Sequence, residues 1–278
     1  EMRISLPYHL RPERVSSGTA GNADVEEFSM MTIRIDYVLE DVHEAIQVIQ
    51  PTADAPYRVP HMYTRPLGLN SSRCWVPCLD SLWDRCTWEL EYVVPRRLSV
   101  DMGDLDDETP EIYVISSGEL TEHAMHPQNP EKSVFYYTQQ VATSVQHVAF
   151  CAGPFVMTRL TPPALQTCEA VSFCLPEHEH ELRSTTQFAW QAIEYISSEY
   201  GSYPFGSFKL VFVDGTHEDC HTASTLAICS SDLLHPPSVI DQAFENRHIL
   251  SHAVAFQWVG INIIQKTWAD TWLIHGLS

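Results

Sequence analysis

LSHAVAFQWVG, Leu250–Gly260, has the apolar density of a buried helix and carries a single histidine, His252. It closes a longer segment, SVIDQAFENRHILSHAVAFQWVG, that is apolar on nearly every side, so we expect a helix buried within its domain. Working outward from it, TLAICSSDLL and FKLVFVD read as strands, the latter with Phe208, Leu210 and Phe212 on one face. Before them, TTQFAWQAIEYISSEYG repeats Ala189, Ile193, Ile196 and Tyr200 at helical spacing, with Gly201 as C-cap, which predicts a helix of about five turns.

Residues up to about 175 are strand-like instead. FSMMTIRIDYVLE alternates Ile33, Ile35 and Tyr37 with polar neighbours, and TWELEYVV does the same through Trp88, Leu90 and Tyr92. EIYVISSG, SVFYYTQQVATS, HVAFCAGPFVM and EAVSFCL continue the series, punctuated by Pro and Gly. The fold class expected is α+β: a β-rich domain over 1–175 followed by a second domain over 176–278. There is no internal repeat and no low-complexity tract.

With 278 residues and 44% hydrophobic content the chain can bury a substantial core. No apolar run is long enough to span a bilayer, and EMRISLPYHL lacks the basic-then-apolar pattern of a secretory signal, so no membrane partner is expected. Sixteen Lys plus Arg against 36 Asp plus Glu give a formal charge of −20, which opposes phosphate binding over the surface as a whole. The densest basic spots, Arg11–Arg14 and Pro95–Arg97, hold two cations each; DMGDLDDETP, Asp101–Pro110, reads as a solvated acidic loop. The eight cysteines, Cys74, Cys78, Cys86, Cys151, Cys168, Cys174, Cys220 and Cys229, form no C-x-x-C pair. That pattern argues against a zinc knuckle and a disulfide scaffold, and favours a reducing compartment.

A zincin places two imidazoles one helical turn apart, as H-E-x-x-H, with the Glu activating a metal-bound water. HAVAFQWVG followed by WADTWLIHGLS resembles the H-E-x-x-H-Q-W-x-G and W-x-x-x-W-L-x-E-G-F-A segments of aminopeptidase N-type zinc enzymes. In the register this resemblance implies, His252 takes the first ligand position, Ala253 the general-base Glu, Phe256 the second ligand and His275 the last one. Ala253 cannot accept a proton and Phe256 has no lone pair for a metal. His252 and His275 alone fall short of the three protein ligands a catalytic zinc needs, and only a substitute such as His248, one turn earlier, could complete the set.

The same family binds its substrate's amino group through a G-x-M-E-N strand, in whose place the resemblance puts Asp219, Cys220, His221, Thr222 and Ala223. Glu218 and Asp219 lie nearby and read as a solvated loop. RCWVPCLDSLWDRCTWELEYVVP, Arg73–Pro95, is similar to the family's R-x-x-F-P-C-x-D-E-P segment through Pro77, Cys78 and Asp80, with Ser81 and Leu82 replacing Glu-Pro. Core packing and turns account for those residues.

From about Tyr63 to Ser278 the chain further resembles the aminopeptidase-like TBP-associated factors of general transcription factor TFIID. SSRCWVPCLDSLWDRCTWELEYVV, SSGEL, AFCAGPF, STLAICSSDLLH, FQWVG and WADTWLIHGLS carry this resemblance. It implies an aminopeptidase-N-like fold whose second part opens a thermolysin-like domain, and a nuclear, non-catalytic scaffold with no catalytic, cofactor-binding or metal-binding residue. The implied partners are other TFIID subunits, including histone-fold TBP-associated factors and the largest subunit. Any contact with core promoter DNA would run through a local patch or later residues, not the acidic surface at large. Two other functions stay open on the residues: a zinc aminopeptidase with unusual ligands, and a module that grips a peptide without cutting it. Because the chain stops inside the second domain, we expect native residues beyond Ser278.

Overall fold

A computed structural model describes residues 14–15, 27–28, 32–40, 42, 44–65, 71–98, 110–160, 168–216 and 218–278. The acidic loop expected over 101–110 lies outside them except for Pro110. The chain divides into two compact units, Glu1–Glu40 and Asp41–Ser278. In the first, β1 (Arg14–Val15) pairs antiparallel with β2 (Glu27–Phe28). The alternation through Ile33, Ile35 and Tyr37 does not make a strand, for residues 32–40 have no regular secondary structure. Alternation supplies a two-faced pattern, but a strand also needs a hydrogen-bonding neighbour.

The second unit begins with β3 (Ile46–Ile49) and β4 (His61–Thr64), which join β9 (Phe150–Gly153) and β6 (Tyr113–Ser116) in an antiparallel sheet ordered β3-β4-β9-β6. Beside it β5 (Arg85–Pro95), β8 (Lys132–Ser144) and β7 (Glu119–Met125) form a three-stranded antiparallel sheet with β8 in the middle. From Trp88 onward β5 alternates half-buried and exposed residues, as the period-2 pattern of TWELEYVV predicts. Its inward Leu90, Tyr92 and Val94 pack on Val114, Phe135, Tyr137 and Ala152.

A five-stranded mixed sheet follows, in the order β10 (Val156–Arg159), β11 (Glu169–Cys174), β12 (Ser207–Val213), β14 (Leu226–Ser230) and β13 (Cys220–Ala223). The three inner strands are parallel and both edges antiparallel. The sheet therefore draws β10 and β11 from upstream of residue 176. Parallel strands buried on both faces read as continuous apolar runs, and β12 is buried at every residue. Phe208, Leu210 and Phe212 face the helices, while Val211 and Val213 face a second core shared with Ile49, Tyr63, Ile115 and Cys151.

The helices are α1 (Glu179–Thr186), α2 (Ala189–Tyr200), α3 (Asp241–Ala255) and α4 (Thr271–Leu277). The single helix expected across 185–201 is broken before Ala189. Buried Thr185 accepts from His235 N–H at 3.0 Å, and buried Thr186 donates to the Leu182 carbonyl at 2.7 Å, so α1 is anchored to its own neighbours and α2 starts afresh. Gly201 ends α2 at φ +94°, as its C-cap role requires. α3 is not buried on all sides: Leu250, Ala253 and Val254 are in the core, but Phe244 in its first turn is 69% exposed and Ile240, its N-cap, 70%. Apolarity all round a helix did not by itself supply a partner for every face. Among the described residues no helix is long and apolar enough to cross a membrane.

Candidate functional site

The α3 helix ends at Ala255, and the next five residues, FQWVG, form a turn in which four side chains or glycines have distinct work. Phe256 stacks on His252 with ring centroids 5.9 Å apart, and lies 6.0 Å from the His275 ring of α4. The three positions that the zinc-enzyme resemblance aligns as ligands are thus brought together in space, with a benzyl ring in the middle. Gly260 makes room for it: φ is +137°, and a methyl group there would stand 2.6 Å from three ring carbons of Phe256.

This donor set does not fit zinc. Two imidazoles flank a ring without lone pairs, Ala253 is buried and apolar, and exposed His248 completes no cluster. Among the described residues no three His, Cys, Asp or Glu side chains converge in a way that could hold a metal ion. His252 Nε2 sits 3.2 Å from Ser278 Oγ. Burial lowers its pKa below the ordinary imidazole value, and the neighbouring His275 and His248 act in the same direction. His252 also lines an open groove of about 700 Å³ between α2 and α3, with Tyr195, Ile196, Tyr200, His248 and Ser278 along it.

Gln257, fully buried, turns the other way. Its Oε1 accepts from Thr225 N–H at 2.9 Å and its Nε2 donates to the Ala223 carbonyl at 2.9 Å, tying the end of α3 to the β13–β14 hairpin. Thr225 adopts φ +60°, uncommon for a β-branched residue, and is held there from several sides. Its Oγ1 accepts from Gly118 N–H at 2.9 Å and its carbonyl from Lys209 N–H at 2.9 Å. Gly118 at φ +86° belongs to the SSGEL segment, and its carbonyl accepts from the buried ammonium of Lys209. Burial draws Lys209 down to about 8, partly offset by the Glu119 carboxylate, which itself accepts from Ser207 N–H at 2.9 Å. These links join the three-stranded sheet to the helix-covered sheet through one polar seam. The hairpin's Ser224 N–H donates to the carbonyl of His147 at 2.8 Å.

β13, which spans Cys220–Ala223 of the residues the resemblance aligns with the amine-binding motif, runs antiparallel to β14, and Glu218 and Asp219 are exposed before it. No carboxylate projects from Cys220–Ala223, and the thiols of Cys220 and Cys229 face each other across the two strands at 2.9 Å. All eight cysteines are free thiols. The RCWVPCLDSLWDR segment makes several polar contacts that tie it to its neighbours. The Asp80 carboxylate accepts from Arg73 N and Nε, both at 3.1 Å, and from Gln146 Nε2 at 3.0 Å. Arg85 donates to the carbonyls of Asn262 and Ile261, and Trp83 Nε1 to that of Gln265, so this segment clamps the loop that follows FQWVG. Trp258 Nε1 donates to the Gly201 carbonyl at 3.0 Å, fastening α2 to the same turn.

Sequence reasoning missed Thr225 and Lys209. A lysine inside the apolar run FKLVFVD was the available signal for the second, since a buried ammonium needs dedicated acceptors. Nothing local announced the first.

No protein-family model matches the chain. It is similar to proteins named transcription initiation factor TFIID subunit 2 from several organisms. The Schizosaccharomyces pombe protein is 30% identical over 91% of this chain and 26% of its own length. Its Drosophila melanogaster counterpart is 32% identical over 93% of this chain and 20% of its own, and that of Gallus gallus 27% over 91% and 20%. The chain thus spans about a quarter or less of the relatives it matches. Over some nine-tenths of its own length, the chain is homologous to a segment of transcription initiation factor TFIID subunit 2.

Proposed function

We propose that the protein is a non-catalytic scaffold subunit of TFIID, acting in the nucleus in assembly of the complex and core promoter engagement for initiation by RNA polymerase II. Its partners are other TFIID subunits, among them histone-fold TBP-associated factors and the largest subunit. Its fold is aminopeptidase-N-like, a β-rich domain over 1–175 leading into the start of a thermolysin-like domain over 176–278. The similarity to proteins of that name in fungi, insects and vertebrates supports the assignment to TFIID. One observation carries the non-catalytic part: Phe256 stands between His252 and His275, where a peptidase would need a third donor, and Ala253 stands where it would need a base.

Two measurements on the full-length protein test this. Affinity purification from nuclear extract should recover other TFIID subunits in stoichiometric amounts, and their absence would overturn the assignment. Elemental analysis combined with an aminoacyl-coumarin assay should give neither bound zinc nor turnover; one zinc per chain with turnover would overturn the scaffold reading.

A further inference from the structure

On a chain with 16 cationic side chains and a charge of −20, three arginines line a single concavity. Arg159 comes from β10, Arg183 from α1 and Arg247 from α3, and the pocket of about 420 Å³ is completed by Gln187, Trp190 and Phe188 among others. Among the described residues only one of the three is neutralised: Arg159 pairs with Glu169 at 2.7 Å. Arg247 lies over the Phe188 ring, 5.5 Å from its centroid, and Arg183 makes no ion pair among the described residues. Three separate elements therefore hold an excess of positive charge at one point of an otherwise acidic surface, backed by amides and aromatic faces.

We propose that this pocket binds a carboxylate-rich peptide segment of a partner protein. Guanidinium forks match carboxylates in bidentate geometry, and the aromatic faces take up the intervening aliphatic carbon. The volume suits several side chains rather than one small oxyanion. A nucleic acid fits less well, because duplex binding needs cations spread along several phosphates and here the surrounding surface repels a long polyanion. Phe188 and Gln191 are shared with the groove between α2 and α3, so a bound segment has an apolar continuation toward His252. This inference stands apart from the TFIID assignment and fails separately from it.

The test is fluorescence anisotropy on the full-length protein, with a fluorescein-labelled peptide alternating glutamate and leucine as the probe. The probe should bind, its glutamine counterpart should not, and Arg183→Glu with Arg247→Glu should weaken binding at least about tenfold at an unchanged melting temperature. Arg183→Lys should keep part of the affinity. If the double variant melts early, Arg247→Gln, exposed and free of carboxylate partners among the described residues, carries the test with a loss of about threefold. No binding by the unsubstituted protein, equal binding of the glutamine peptide, indifference to these substitutions, or displacement by a short DNA duplex at lower concentration than by unlabelled peptide would each overturn the proposal.

Discussion

Phe256 and Gln257 are neighbours in sequence, yet their surroundings follow opposite rules. Phe256 sits in a half-open cluster with two histidines beside a groove, and its contacts are ring against ring. Gln257 is wholly enclosed, and each of its polar atoms has a backbone partner on the β13–β14 hairpin. A half-open cluster with no charge to hold tolerates a benzyl group between two imidazoles. A seam joining two sheets cannot tolerate a comparable change, because every buried donor there needs its acceptor.

The largest effect that could break this contrast is acidification. Burial depresses His147 to about 3 and His221 to about 4, with neighbouring positive charge adding to the first, and His147 Nδ1 is enclosed without a partner among the described residues. Both imidazoles stay neutral in the folded protein while their unfolded counterparts take up protons below about 6.5. Stability should therefore fall as pH drops from about 6.5 toward 4, by about 3 kcal/mol for each histidine. Denaturant melts at pH 7 and pH 4.5 check this, and equal midpoints would contradict it. Hydrogen exchange should show Ala223–Leu226 losing protection before α4 does.

Next come substitutions on the two sides of the divide. Gln257→Leu removes the acceptor of the buried Thr225 N–H and a donor to the Ala223 carbonyl, an expected loss of about 1–3 kcal/mol in urea melts. Gly260→Ala forces a methyl into the Phe256 ring at a positive φ and should cost about 2–3 kcal/mol. Combining it with Phe256→Ala should cost less than the sum of the two, since the clash disappears while the backbone strain remains; strict additivity would show that the ring does not rest on Gly260.

A smaller, conditional effect sharpens the other half of the comparison. Phe256→His places a third imidazole between His252 and His275, and zinc at a hundredfold over its dissociation constant should then stabilise the variant by about 2.7 kcal/mol. Phe256→Ala should show no such gain. Smallest of all, Arg96→Ala breaks the half-exposed pair with Glu111 and should shift stability by less than about 1 kcal/mol.

Much of the fold was legible because burial leaves a period. TWELEYVV alternated and became β5; FKLVFVD showed one apolar face and became β12, the sheet's central strand, buried on both faces. The alignment of His252, Phe256 and His275 was legible too, and the structure brings these residues together. The expected long helix over 185–201 was not read correctly, since Thr185 at the end of α1 is tied to His235, far along the chain and out of view of any local pattern. The strand expected through Ile33–Tyr37 likewise depended on a neighbour that sequence does not name.

By itself the sequence determined the period of the main elements, the acidic charge and the absence of electron-pair donors from the side chains at positions 253 and 256, because these are properties of residue type and spacing. Tertiary structure alone decided that Gly118, Lys209, Thr225 and Gln257 form one seam, and that Arg159, Arg183 and Arg247 share one pocket. Such groupings depend on hydrogen bonds and charges meeting in space between segments far apart along the chain, and residues that distant leave no periodic trace of one another.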